Sequence, residues 1–259
     1  GTRLANEAFG GAGGTKARET PSRVDPYQPA GDLWFTLDHG PVSAYRRELD
    51  LERGVVTVEY EADGARYRIE YVAHLAHDLI LARVSADRAF SGRFWLGRIE
   101  DPGCLLQRTA SAEGLQMDGQ FHEGIAFRVS ARLYPQGGAV RAEGDALRVE
   151  GADALLIAID IGTSAREVAP VHELARRALP HTDWAALLAE HEAAYRRLYG
   201  GLELAVDAPT PDLPTDQRLR ALREGADDPA IAALYFDYGR YLMLASTARA
   251  ELPPNLQGK

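Results

Sequence analysis

Between Asp32 and about Ile161, apolar and polar residues alternate with a period of two. The segments are short, rich in Val, Ile, Tyr, Phe and Trp, and separated by Gly, Asp or Pro. That period puts successive side chains on opposite faces of an extended chain, so these segments predict β-strands with one buried face. The clearest run from Asp32 to Leu37, Val42 to Leu51, Val55 to Glu61, Arg66 to Ala73, Leu79 to Ala86, Gly92 to Ile99, Ile125 to Leu133, Leu147 to Glu150 and Ala154 to Ile161. Ala62-Asp63-Gly64-Ala65 predicts a tight hairpin, because Asp-Gly tolerates positive φ at both turn positions. Many antiparallel strands without intervening helices imply a mainly β sandwich rather than a parallel α/β sheet.

After Ile161 the period lengthens. Val171 to Leu179 predicts a short helix and Thr182 to Tyr199 a stronger one, in which Trp184, Leu187, Leu188, His191, Tyr195 and Leu198 share one face. Gly200-Gly201 is expected to end it in a left-handed cap. Residues 203 to 228, broken by Ala208-Pro209-Thr210-Pro211 and Leu213-Pro214, read as a connecting segment with a brief helix from Gln217 to Glu224. The last long helix is expected from Ala230 to about Ala245, with Asp228 at the N-cap and Pro229 at the first helical position. Leu234, Tyr235, Phe236, Tyr238, Tyr241, Leu242, Met243 and Leu244 cover nearly its whole circumference, the pattern of a helix buried on all sides. Too few other helices are present to bury it, and the chain is expected to be truncated at both ends.

Composition narrows the function classes. The 259 residues carry a net charge of −9, and the only lysines are Lys16 and Lys259. No basic stripe remains for nucleic acid, and no apolar run reaches the roughly 18 to 20 residues of a membrane span. The single cysteine, Cys104, excludes an internal disulfide framework and a multi-cysteine metal site. Residues 1 to 20 hold no charged segment followed by an apolar one, and Arg3 to Phe9 reads as the end of a helix already under way, so cellular location stays open.

Candidate chemistry is sparse. Gly10-Gly11-Ala12-Gly13-Gly14-Thr15-Lys16 lacks the preceding strand and following helix of a phosphate-binding loop and reads as a flexible loop. His74 and His77 sit beside Asp78, yet residues three apart on a strand point to opposite faces, so no metal site is expected without a bulge. Glu100-Asp101 and His122-Glu123 lie at strand ends and read as solvated turn charges rather than an acid/base pair. Cys104 has no motif marking a nucleophile, and there is no Gly-x-Ser-x-Gly. Trp34 and Trp95 would stack on sugar rings if they faced outward, although core packing is the commoner fate of a strand Trp.

Two stretches are more specific. The first is Pro26-Tyr27-Gln28-Pro29-Ala30-Gly31-Asp32-Leu33, followed by Tyr45-Arg46-Arg47-Glu48-Leu49-Asp50-Leu51 and Val56-Thr57-Val58-Glu59-Tyr60. The second is Ala233-Leu234-Tyr235-Phe236-Asp237-Tyr238-Gly239-Arg240-Tyr241-Leu242, followed by Leu252-Pro253-Pro254-Asn255-Leu256-Gln257-Gly258. In this order they resemble glycoside hydrolase family 95, the inverting α-L-fucosidases and their α-L-galactosidase relatives. The resemblance implies an N-terminal β super-sandwich over residues 1–165, a helical linker over 166–203, and the first helix of a truncated (α/α)6 barrel within 204–259. It implies hydrolysis of α-linked L-fucosyl groups in a glycan, with no cofactor and no metal. The family's catalytic motifs match no position here, so no catalytic residue is assigned; Asn255 and Gln257 are the expected substrate neighbours. Oligomeric state is not legible.

Overall fold

The computed structural model describes residues 28–122, 124–165 and 169–250. Ten antiparallel strands form one sheet: β1 (Asp32–Leu37), β2 (Ser43–Asp50), β3 (Val55–Ala62), β4 (Ala65–His74), β5 (Leu79–Gly97), β6 (Cys104–Ser111), β7 (Gly114–Phe121), β8 (Ala126–Gln136), β9 (Ala139–Glu143) and β10 (Ala146–Thr163). The Asp-Gly hairpin forms as its residues predict: Ala62 pairs with Ala65, and Asp63 and Gly64 have φ of 50° and 71°.

The main path runs β2-β3-β4-β5-β10-β8-β7-β6, with β1 added to β5 and β9 to β10. Two pairs of predicted strands turn out to be single long ones. Leu79 to Ala86 and Gly92 to Ile99 merge into β5, while Leu147 to Glu150 and Ala154 to Ile161 merge into β10. Their mutual register shifts between Val149 and Ala152 and again between Ala152 and Ala154, and Gly151 there has φ of 65°. Such irregularities let paired strands bend without breaking. One half of each strand carries β4 and β8; the other carries β1 and β9. The two halves share a core in which Phe94, Leu96, Leu147 and Val149 meet Leu115, Met117, Val129, Leu155 and Ile157. Each such side chain contributes roughly 1.5–3 kcal/mol by leaving water.

Among the segments after the strands, only Val171–Glu173 forms a turn of 3-10 helix where a helix to Leu179 was expected. Arginines of the sandwich take the carbonyls that a helix would use: Arg128 Nη1 donates to His172 O at 2.9 Å and Arg132 Nη1 to Arg177 O at 2.7 Å. The Arg177 amide and Nη1 both reach the buried Asp160 carboxylate at 2.6 Å. The segment is therefore a strap laid over β8 and β10. Three helices follow: α1 (Trp184–Tyr199), α2 (Thr215–Arg223) and α3 (Ala230–Thr247). None is long and apolar enough to cross a membrane among the described residues.

Two expectations for the helices need correction. Gly200 after α1 has φ of −74°, so its cap is not left-handed. Leu198 is exposed, and Tyr199 takes its place on the buried face. Pro229 has the helical dihedrals expected of a first helical residue, and the Asp228 carboxylate before it also receives Arg218 Nε at 2.7 Å and Nη2 at 2.9 Å, which locks α2 to the start of α3.

Candidate functional site

The junction between sandwich and α1 concentrates the polar chemistry. Asp183 caps α1, its Oδ1 accepting from Ala185 N at 3.0 Å, and Trp184 and Leu187 then pack on Val55, Val72, Leu79, Leu81, Leu156 and Ala158. One face of α1 also makes polar contacts at successive turns. His74 Nε2 meets Leu187 O at 2.9 Å, His191 Nε2 meets Arg53 O at 3.0 Å, and Tyr195 Oη donates to Leu51 O at 2.8 Å. Arg53 Nε adds a bond to Glu192 Oε1 at 2.7 Å. The Leu51 and Arg53 carbonyls of the β2–β3 turn thereby gain partners from α1, as buried backbone must.

Four of the seven histidines gather here: His74, His77, His181 and His191. The opposite-face expectation for His74 and His77 is wrong. His74 ends β4 but His77 lies in the following turn, and the reversal stacks the rings at 4.5 Å between centroids. His77 Nε2 is 2.9 Å from Glu190 Oε2, and His181 Nε2 is 3.2 Å from Oε1 of the same carboxylate. Those two contacts, His181 first, hold the Glu190 carboxyl below its usual range. Burial pushes His74 and His191 down, favouring the neutral ring, with hydrogen bonds to backbone carbonyls opposing it. Sequence reasoning singled out neither Glu190 nor His181; the signal available was the helical face on which His191 already stood.

The other candidate residues are dispersed. Asp101 caps its own turn, with Oδ1 accepting from Gly103 N at 2.9 Å and Oδ2 from Arg98 Nη2 at 3.3 Å. The His122 amide bonds Gly103 O at 2.9 Å, which brings the two strand-end clusters together as a turn; Glu123 lies outside the described residues. Asp118, on a shallow hollow of about 370 Å³ lined also by Leu105, Leu106 and Gln120, is held by both Arg128 Nε and Nη2. The Asp101 and Asp118 carboxylates are thus held by arginine and backbone partners. Asn255 and Gln257 also fall outside the described residues.

Trp34 departs from the core expectation. It is 53% exposed on β1, directly across from the half-buried Trp95, over whose ring the Arg93 guanidinium sits at 5.3 Å. On α3, Tyr235 is 79% exposed and Tyr238, Leu242 and Met243 are also open, while Ala230 is its one buried residue. Arg240 ties α3 back to α1, lying 4.4 Å over the Tyr199 ring and donating to Tyr199 O.

Residues 1–168 match the family model described as "Glycosyl hydrolase family 65, N-terminal domain", and residues 183–259 match "Glycosyl hydrolase family 95 catalytic domain". "Alpha-L-fucosidase 2" of Arabidopsis thaliana is 25% identical over 90% of this chain and 33% of its own length. "Probable alpha-fucosidase A" of Aspergillus oryzae (strain ATCC 42149 / RIB 40) is 24% identical over 84% of this chain and 34% of its own length. The chain thus spans about a third of the length of these curated relatives. A solved structure titled "Putative kojibiose phosphorylase from human microbiome" overlaps 64% of this chain and 27% of its own with a TM-score of 0.42 at 9% identity.

Proposed function

Because the chain belongs to the glycosyl hydrolases, joining a family 65 N-terminal domain to a family 95 catalytic stretch, we propose that it supplies the N-terminal part of an enzyme that hydrolyses α-linked L-fucosyl groups in glycans with inversion. The observation that carries this reading is the family 95 catalytic match over residues 183–259, the stretch that contains α1, α2 and α3. The names of the two curated relatives supply the sugar. In this reading residues 1–165 are the sandwich, 166–203 the linker and 204–259 the beginning of the catalytic barrel, with Asn255 and Gln257 bordering the substrate cleft.

The chain's own contribution is positional. Inversion requires a protonated carboxylic acid at the leaving oxygen and a second group holding water on the opposite face, with roughly 6.5–9.5 Å between carboxyls. The Asp101, Asp118, Asp160 and Asp228 carboxylates are committed to arginines and backbone amides, and Glu190 to two histidines. His74, His191 and Tyr195 fix α1 on the sandwich through the Leu187, Arg53 and Leu51 carbonyls, and Arg240 holds α3 against α1. The 259-residue chain by itself therefore gives no turnover. The test assays it with aryl α-L-fucoside and aryl α-L-galactoside beside a protein extended to the length of the curated relatives. Fucoside turnover with inverted product in the extended protein alone supports the reading; turnover by the short chain that vanishes in Glu100→Gln overturns it.

The exposure of Trp34 favours a second reading, a carbohydrate-binding face on the outer side of β1 and β5. Titration of the chain with a fucosylated oligosaccharide, followed by tryptophan fluorescence, separates the two. A saturable change lost in Trp34→Ala supports a binding face; a flat titration removes it.

A further inference from the structure

The geometry points to a divalent transition-metal site, of zinc type, formed by His74, His77 and Glu190, which clips α1 to the β4–β5 turn. The ligand atoms of these three residues lie within 4.8 Å of one another. A tetrahedral zinc with bonds of about 2.0–2.2 Å requires ligand separations of roughly 3.3–3.6 Å. His77 Nε2 and Glu190 Oε2 at 2.9 Å are already closer than that, so small movements of these partly exposed side chains suffice.

The surroundings match those that orient metal ligands. A ligating imidazole typically gives its other N–H to a backbone carbonyl, which fixes the tautomer. His74 does this: Nε2 faces Leu187 O at 2.9 Å, leaving Nδ1 as the lone pair, and only a long 3.3 Å contact from the His77 amide reaches it. Being 1% exposed, its ring is fixed by packing. Glu190 is oriented in the same manner, because His181 Nε2 meets Oε1 and leaves Oε2 facing His77. Two imidazoles and one carboxylate suit zinc, cobalt or nickel better than calcium or magnesium, which take oxygen ligands. A water completes the fourth position. Two ligands come from the sandwich and one from the helix 113 residues away, so an ion here joins two structural units.

The full 259-residue chain, stripped with chelator, is titrated with Co²⁺ and with Zn²⁺. The expected result is one equivalent bound, visible cobalt bands of tetrahedral intensity, displacement of cobalt by zinc, and a thermal midpoint raised by zinc but not by Mg²⁺. His77→Gln and Glu190→Gln, both at partly exposed positions, should keep the circular dichroism spectrum and weaken binding at least tenfold. His181→Gln should weaken it about 10- to 100-fold, as removal of an outer-shell partner does. His172→Gln, outside the cluster, should change nothing. Absence of cobalt bands at one equivalent, or zinc affinity unchanged in His77→Gln and Glu190→Gln, overturns the assignment.

Discussion

Gly54 shows how much a single backbone position carries. It closes the turn between β2 and β3 with φ of 64°, and a Cβ there would stand 3.0 Å from Tyr195 Cε2. Gly54→Ala should therefore cost about 1–2 kcal/mol for the left-handed conformation alone, measured as a lower midpoint in urea. Because Tyr195 must shift as well, the loss should be larger than that of Gly144→Ala, where φ is 64° but no atom lies within 4 Å. The Arg218–Asp228 pair yields a pH effect. The arginine hydrogen bond, opposed by burial, holds the Asp228 carboxyl below its ordinary value. A carboxyl lowered in the folded state stabilises above its unfolded pKa, near 3.9, and loses that contribution as pH falls through the folded value. Thermal unfolding should thus drop more steeply below about pH 4 in the native chain than in Asp228→Asn, while at pH 7 the variant should be the less stable of the two. Equal slopes in acid would show that the pair contributes nothing.

At the scale of elements, what was readable in the sequence depended on whether a segment's partners were local. The Asp63-Gly64 hairpin and the apolar face of α1 were legible because turn chemistry and a 3.6 period act within a few residues. The strap from Val171 to Arg177 was not, since its conformation is set by Arg128, Arg132 and Asp160, far away in the chain. The bend in β5 and β10 was likewise invisible, because the turn-like residues between the predicted strands continue an extended path only when the two strands bend together. His74 and His77 were misjudged by treating a turn as strand; their meeting with Glu190 needs the docking of α1. The all-round apolar pattern of α3 was legible, but its burial is not found among the described residues. An open face of Tyr235, Tyr238, Leu242 and Met243 invites association, since contiguous apolar patches beyond a few hundred Å² are rare on monomers. A chain ending at Gly201 should remain monomeric in sedimentation velocity at concentrations where the 259-residue chain forms larger species. Identical profiles would mean that α3 finds cover within the chain.

For the whole molecule, the arrangement of β5 and β10 also governs the order in which the chain can assemble. Ala82 pairs with Ile157, 75 positions later, and of the earlier strands only β4 and β1 join β5, both on its other edge. During synthesis at about 5–20 residues per second, the inner edge of β5 waits roughly 4–15 s for its partner to emerge. Long-range pairing of this kind makes folding slow, because loop-closure entropy is lost before the contacts form. In that interval Leu81 and Val84, fully buried in the finished sandwich, sit on an unpaired strand edge that another nascent chain could extend. The two bent strands that unite the sandwich therefore make its biogenesis all or nothing: until β10 leaves the ribosome, the preceding half of the domain has no core to close.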